Sequence, residues 1–375
     1  MSATAENARI TVLGQRRNMA LLTAAIQKGS VAHAYLVVGA PGSGKKTLAF
    51  YLAQLLFCEE AVGERADAAS QPCGACHSCR RVANGNHPDV RLVAPEGVSF
   101  KIDQVREVQG EASLSPYEAD TKVFILESAE LMTEEAQNSL LKTLEEPPPH
   151  SVFVLLAPEA TALLPTIVSR CQLVRMEPLS EKDICAELER RGVASDVEAR
   201  TAAALSGGCL GRARAVLGEP LRQTRDKAVS FVESVGVLGA GECLRLAAEF
   251  EKDREGADFF AQMLSLLYRD LAVLAAADAR DGDEPGLDGQ RIAAIAAMET
   301  LLNRDVATML GREARYYDVA GCLAAEAALT AFAEMARLNL NTRLLLDVLL
   351  LELRELRRGG RFTAAWDELL ERVTA

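Results

Sequence analysis

The sequence has no surplus of positive charge: 41 Lys and Arg stand against 53 Asp and Glu, a formal net charge of −12. That balance argues against a protein that coats DNA by bulk charge, while a local basic strip within an assembly stays compatible with it. No basic-plus-apolar segment opens the chain, and no unbroken apolar run is long enough to span a bilayer, so a cytoplasmic protein is expected. In that compartment the nine cysteines are not expected to form disulfides. Tandem repeats and low-complexity tracts are missing too. What is there is ordinary globular composition, 49% hydrophobic and 25% charged, over 375 residues. That length is too great for one ordinary core and suggests two or three domains.

Up to about residue 178 strand-like and helix-like runs alternate, the mark of an α/β domain with a parallel sheet. Strands are expected over 35–38, 90–93, 122–126, 151–156 and 172–176. The alternation then stops. Residues 179–218 read as short helices, with the glycines of Leu205-Ser-Gly-Gly-Cys-Leu-Gly-Arg-Ala213 punctuating a helix-turn-helix. From 219 to 375 the chain is rich in Ala, Leu, Glu and Arg, with one loop at 281–286. Over 259–277 and 323–356 apolar residues recur at helical spacing without clustered histidines or nucleophiles, which favours core or subunit interface over an active site. Arg354, Arg357, Arg358 and Arg361 cluster near the end and read equally as a solvated face or as a contact for DNA or a partner.

Residues 39–46, Gly-Ala-Pro-Gly-Ser-Gly-Lys-Lys, form a phosphate-cradling loop between an apolar β-prone run and a helical pattern. Gly39, Gly42 and Gly44 would let backbone N–H groups turn toward phosphates, the following helix adds its N-terminal partial charge, and Lys45 would reach the β/γ oxygens. A Ser or Thr normally follows that lysine and holds Mg²⁺. Here it is Lys46, a donor-only ammonium that would repel the cation. Thr47 lies one residue further, about 100° around the helix, so its hydroxyl is no simple substitute, although its N–H could meet a phosphate. The residues leave nucleotide binding open.

Cys58 and the run Cys73-Gly-Ala-Cys-His-Ser-Cys79 offer two overlapping C-x-x-C turns plus one remote cysteine. Such a set can close a tetrahedral thiolate site around Zn²⁺ with no open position, which is structural rather than catalytic. Four free cysteines is the alternative, harder to explain by packing in a polar, glycine-containing stretch. His77 is expected to be a bystander, and Cys171, Cys185, Cys209, Cys243 and Cys322 read as small hydrophobes.

A strand-like run ending in Glu127 places an acid where phosphate-loop proteins put their second metal ligand. Ser128 follows, with no useful basicity at neutral pH, and Glu130 is expected to face elsewhere. Next come Asn138-Ser-Leu-Leu-Lys-Thr-Leu-Glu-Glu-Pro-Pro-Pro149 and Leu163-Leu-Pro-Thr-Ile-Val-Ser-Arg-Cys171. These segments resemble the clamp-loader branch of the AAA+ ATPases, and the resemblance covers nearly the whole chain. Val12-Leu-Gly-Gln15 is similar to the segment lining the adenine, and His33-Ala-Tyr-Leu36 to the approach to the loop. The cysteines sit where bacterial clamp loaders carry a zinc module. His87-Pro-Asp-Val90 and Ile102-Asp-Gln-Val-Arg106 are similar to the stretch after it. Gly208-Cys-Leu-Gly-Arg-Ala213 is like the lid motif, and 339–347 like the end of the collar.

The resemblance implies an α/β AAA+ domain over 1–178 with a zinc module at 58–79, a helical lid over 179–218 and an all-α collar over 219–375. It implies that Arg170 is an arginine finger acting in trans on a neighbouring subunit's nucleotide, and that Arg212 senses a γ-phosphate, although a helix-capping surface arginine reads nearly as well. Implied partners are the gamma/tau motor and delta subunits of the bacterial DNA polymerase III clamp loader, the sliding clamp and primer-template DNA. Lys46, Ser128 and Ala157-Pro158, where a polar residue is expected, depart from the hydrolytic pattern, while Arg170 is retained. A stator-like accessory subunit that does not itself turn over ATP is therefore expected. The alternatives are the motor subunit of the same loader and an AAA+ regulator unrelated to replication.

Overall fold

The computed structural model describes residues 8–62, 71–97, 99–194, 196–279, 300–337 and 340–360. The loop 281–286, Asn339 and Arg361 lie outside the described residues. The chain divides into two compact units, Met1–Asp183 with Gly208–Arg212, and Ile184–Gly207 with Ala213–Ala375.

Five apolar runs in the first unit pair as a parallel sheet: β1 Ala34–Val38, β2 Val90–Val93, β3 Lys122–Leu126, β4 Ser151–Ala157 and β5 Gln172–Arg175, in the order β2-β3-β4-β1-β5. Each lies within one residue of the expected span. Parallel strands need crossover helices, which cover both faces, and so central strands are buried throughout. Period-two alternation then divides each strand between two cores. Tyr35, Val37, Val123, Ile125, Val154 and Leu156 face one, where the helix Lys45–Phe57 packs. Leu36, Val38, Phe124, Leu126, Phe153 and Leu155 face the other, closed by the helices Ile102–Ala112 and Glu134–Glu145.

Topology sets the site. The register puts Val38 beside both Ala157 and Arg175, and Leu126 beside Leu155. The carboxyl ends of β1, β4 and β3 thus deliver Gly39, Pro158 and Glu127 to one edge of the sheet, the usual place for a ligand crevice in an open α/β sheet. Gly39 is locked there: its N–H donates to the Ala157 carbonyl at 3.2 Å, and a Cβ would stand 2.7 Å from the Met176 Cβ.

The second unit is helical. Its long helix Arg254–Ala279 packs against Val319–Arg337, and Tyr268 meets Tyr317 edge to face at 5.6 Å. The buried Asp270 carboxylate accepts from the Leu302 and Asn303 backbone N–H groups and from Asn303 Nδ2, tying a loop to the long helix. Two stretches, Arg254–Ala277 and Val319–Ala336, are long and apolar enough to cross a membrane by length and composition, though charged residues such as Asp270 and Glu326 interrupt both, so neither is an unbroken apolar run. Their mutual packing accounts for that apolarity as helical core.

Candidate nucleotide and metal sites

The loop after β1 has the backbone of a phosphate cradle. Gly42 and Gly44 adopt φ of +78° and +93°, which only glycine takes without strain, and Gly44 hands the chain to the helix Lys45–Phe57. Lys45 Nζ donates to the carbonyls of Gly39 at 2.6 Å and Ala40 at 3.1 Å. Burial lowers its pKa, opposed first by Glu130, then by Cys209 and Glu127. Ser43 Oγ is shielded from solvent and has no hydrogen-bond partner.

Beyond Lys45 the geometry departs from a metal site. Lys46 Nζ lies 2.9 Å from Glu127 Oε2, so the residue standing at the hydroxyl position and the acid at the end of β3 form an ion pair with each other. Thr47 is exposed. Ser128 is the one non-glycine with positive φ, +54°, among the described residues. That left-handed turn starts a short 3₁₀ segment, Ala129–Leu131, which brings Glu130 into the field of Lys45. The expectation that Glu130 faces elsewhere is corrected: it acts on Lys45 more strongly than Glu127 does, and its Oε2 is shielded without a hydrogen-bond donor. The positive-φ turn at Ser128, which residue type alone does not announce, sets where Glu130 lies.

The segment Gly208–Arg212 belongs to the same unit and lies against the loop. The Gly211 N–H donates to the Gly42 carbonyl at 3.0 Å. A Cβ on Gly42 would come 3.0 Å from the Arg212 backbone nitrogen, and one on Gly211 would come 2.7 Å from the Gly42 Cα. The structure thus brings Gly39, Gly42, Gly44, Lys45, Glu127 and the Arg212 backbone to one edge of the sheet.

Arg170 stands apart from that group, just after the short helix Pro165–Val168. Its Nη2 meets Glu145 Oε1 at 2.7 Å, and its Nη1 donates to the Thr166 carbonyl at 3.0 Å and to Ser169 Oγ at 3.4 Å. The arginine is partly exposed and aimed along the end of the helix Glu134–Glu145.

The sulfurs of Cys58, Cys73, Cys76 and Cys79 all lie within 4.8 Å of one another. Tetrahedral Zn²⁺ with Zn–S bonds of about 2.3 Å needs sulfurs about 3.8 Å apart, so the four fit that metal. Backbone N–H groups already point at three of them: Cys73 N–H at Cys58 Sγ (3.3 Å), Cys76 N–H at Cys73 Sγ (3.2 Å) and Cys79 N–H at Cys76 Sγ (3.4 Å). Such donors favour thiolate. The cluster is wired to the core through the buried Gln54, whose Nε2 donates to the carbonyls of Cys79 and Ala8. His77 is not a member of the group.

The neighbouring His-Pro-Asp run has a structural task that the sequence did not reveal. Asp89 accepts from the backbone N–H groups of Tyr117, Glu118 and Ala119 at 2.6, 2.8 and 2.9 Å, pinning the loop before β3. Burial would raise its pKa, yet these three donors hold the carboxyl below its ordinary value. His87 stacks on Phe57 at 4.6 Å, and its Nδ1 accepts from the Asp89 N–H.

The family described as DNA polymerase III, delta subunit, matches residues 14–180. The chain is 35% identical over 263 residues to the DNA polymerase III subunit delta' of Bacillus subtilis, covering 68% of this chain and 77% of that one. It is 36% identical over 208 residues to the subunit delta' of Pseudomonas aeruginosa, covering 54% and 61%. To the subunit gamma/tau of Mycobacterium tuberculosis it is 32% identical over 234 residues, 61% of this chain and 39% of that one.

Proposed function

Because this chain belongs to the DNA polymerase III delta-prime family, we propose that it is a non-hydrolysing, stator-like subunit of the clamp loader, helping load the sliding clamp onto primed DNA. One observation carries the reading: Lys46 and Glu127, the two positions that would hold the metal of a hydrolysing site, are paired with each other at 2.9 Å. Ser128 adds no base, and Ala157-Pro158 at the end of β4 offers no side chain to orient water.

Arg170 is the group offered outward. A guanidinium placed at a neighbour's nucleotide neutralises charge that develops on the transferred phosphoryl group, an effect on the order of 10³–10⁵ in rate in related chemistry. In this reading the neighbour is a gamma/tau motor subunit, with delta, the clamp and primer-template DNA as further partners in a cytoplasmic assembly. Residues 179–218 act as a lid carrying Arg212, and 219–375 as the collar that joins subunits. Cys58, Cys73, Cys76 and Cys79 hold a structural Zn²⁺, which cross-links the module and supplies no reaction chemistry.

Reconstituted loader carrying Arg170→Ala tests the proposal: it should assemble normally and lose most of its clamp- and DNA-stimulated ATPase. Unchanged ATPase sinks the trans-finger role. The 32% identity to a gamma/tau subunit favours one second reading, the motor itself. That reading demands ATPase from the isolated chain, abolished by Lys45→Ala.

A further inference from the structure

Where the cysteine cluster meets the sheet unit, the surface opens into a cavity of about 400 Å³, within the range of about 300–1,000 Å³ usual for ligand sites. Phe57, Ser78 and His87 line it, with Glu59, Glu118 and Asp120. It lies by the end of the helix Lys45–Phe57 and the start of β3, away from the edge of the sheet that carries the phosphate loop.

One atom inside it has a hydrogen bond still to make. His87 is 4% exposed, and its Nδ1 accepts from the Asp89 N–H at 3.2 Å. A backbone donor at Nδ1 requires a lone pair there, so the neutral ring carries its proton on Nε2. Nε2 has no hydrogen-bond partner among the described residues, and because the ring lines the cavity, this N–H is the polar group left to face it. A ligand must bring an acceptor to that point. A metal ion does not fit, since the lone pair it would need is on the other nitrogen.

The rim makes the opposite demand. Glu59 and Asp120 are exposed and form no ion pair among the described residues. Between them Glu118 is held by Arg81, whose Nη1 donates to both of its carboxylate oxygens at 2.7 Å. Asp89 pins the backbone of Tyr117, Glu118 and Ala119, so this wall is fixed before anything binds, which lowers the cost of binding. A carboxylate or phosphate would meet the rim as a like charge. The acceptor is therefore an uncharged carbonyl, and the group beside the rim a cation.

We propose that this cavity docks a basic segment of a partner protein, a main-chain carbonyl accepting from His87 Nε2–H while a Lys or Arg head group meets Glu59 and Asp120. The methylene stem of that side chain would lie along Phe57, as long cationic side chains cover apolar surface. Ser78 stands between Cys76 and Cys79, so the cysteine cluster carries one wall of the cavity. The module thus gains a binding task beside its structural one. The inference goes beyond the stator reading and needs neither Arg170 nor nucleotide.

The experiment follows His87 by NMR in the full chain made with isotope-labelled histidine, its ring signal assigned by substituting the other three of the four histidines in turn. The probes are short capped peptides identical except for a central arginine, citrulline or glutamate. His87 should show the Nε2–H tautomer, and its Nε2 signal should shift saturably with the arginine peptide alone. Glu59→Gln with Asp120→Asn, both exposed and expected to leave the melting temperature unchanged, should weaken that binding about 2- to 30-fold. The proposal is overturned by a proton on Nδ1, by no shift with the arginine peptide, by an equal shift with citrulline or glutamate, or by undiminished binding to the double variant.

Discussion

In the proposed trans role Arg170 would first have to leave a contact within its own chain. Its Nη2 lies 2.7 Å from Glu145 Oε1, with the two side chains 34% and 50% exposed. An ion pair so open to water is worth about 0.2–1 kcal/mol. To reach a neighbour's nucleotide the guanidinium must leave Glu145, so the pair withholds the free arginine by a factor of about 1.4–5. Glu145→Gln removes the charge and keeps the shape. Loader reconstituted with that variant should show clamp- and DNA-stimulated ATPase between unchanged and about fivefold higher. Arg170→Ala should lower the same rate on the order of 10³-fold, and Arg170→Lys should recover little, because an ammonium lacks the planar fork. The steady-state rate at saturating ATP, with assembly checked by gel filtration, is the measurement. A fall with Glu145→Gln as deep as with Arg170→Ala would refute the competition argument and make Glu145 the residue that aims the finger.

Four further outcomes follow from the sheet unit. Cys73→Ser with Cys76→Ser should abolish bound zinc by elemental analysis and lower the melting temperature, and full zinc retention would remove the four-cysteine site. Gly211→Ala would force a Cβ to 2.7 Å from the Gly42 Cα, backbone against backbone, and should cost about 1–3 kcal/mol in urea unfolding. Gly110→Ala, whose Cβ meets nothing within 4 Å in a helix, should instead stabilise by about 0.5–1 kcal/mol. Asp89 has a lowered folded pKa, so its contribution is present above the unfolded value of about 3.9 and is lost as pH falls through the folded one. Stability measured between about pH 6 and about pH 3 should therefore drop further in wild type than in Asp89→Asn, and equal slopes would dismiss the three-donor account.

The sheet was legible because its causes are local. Buried parallel strands are short, nearly continuous apolar runs bounded by polar or turn residues, and all five could be read to within one residue. The cysteine cluster was legible for the same reason, three cysteines lying within seven residues and the fourth at the end of the helix Lys45–Phe57. The contacts that decide chemistry are of another kind. Lys46 and Glu127 are 81 residues apart, Arg170 and Glu145 are 25, and the Asp89 carboxylate meets backbone 28 to 30 residues on. Each depends on strand order, which periodicity does not encode.

Lys46 shows what that difference means for inference. By residue type alone the lysine reads as a subtraction, a hydroxyl lost from a metal site. Strand order changes the sign of the argument. With β4 between β1 and β3, the carboxyl ends of the outer two are close enough for an ammonium on the helix after β1 to reach the acid after β3. The substitution therefore supplies a cation at the carboxylate that a metal would otherwise neutralise. Ser128 lacks any such compensation, since a hydroxyl at a left-handed turn cannot act as the missing base, and Glu130 belongs to the 3₁₀ segment after that turn rather than to the end of β3. Charge neutralisation and water activation are thus separable in this fold. The first can be rebuilt from side chains, as the Lys46–Glu127 pair does, while the second stays lost.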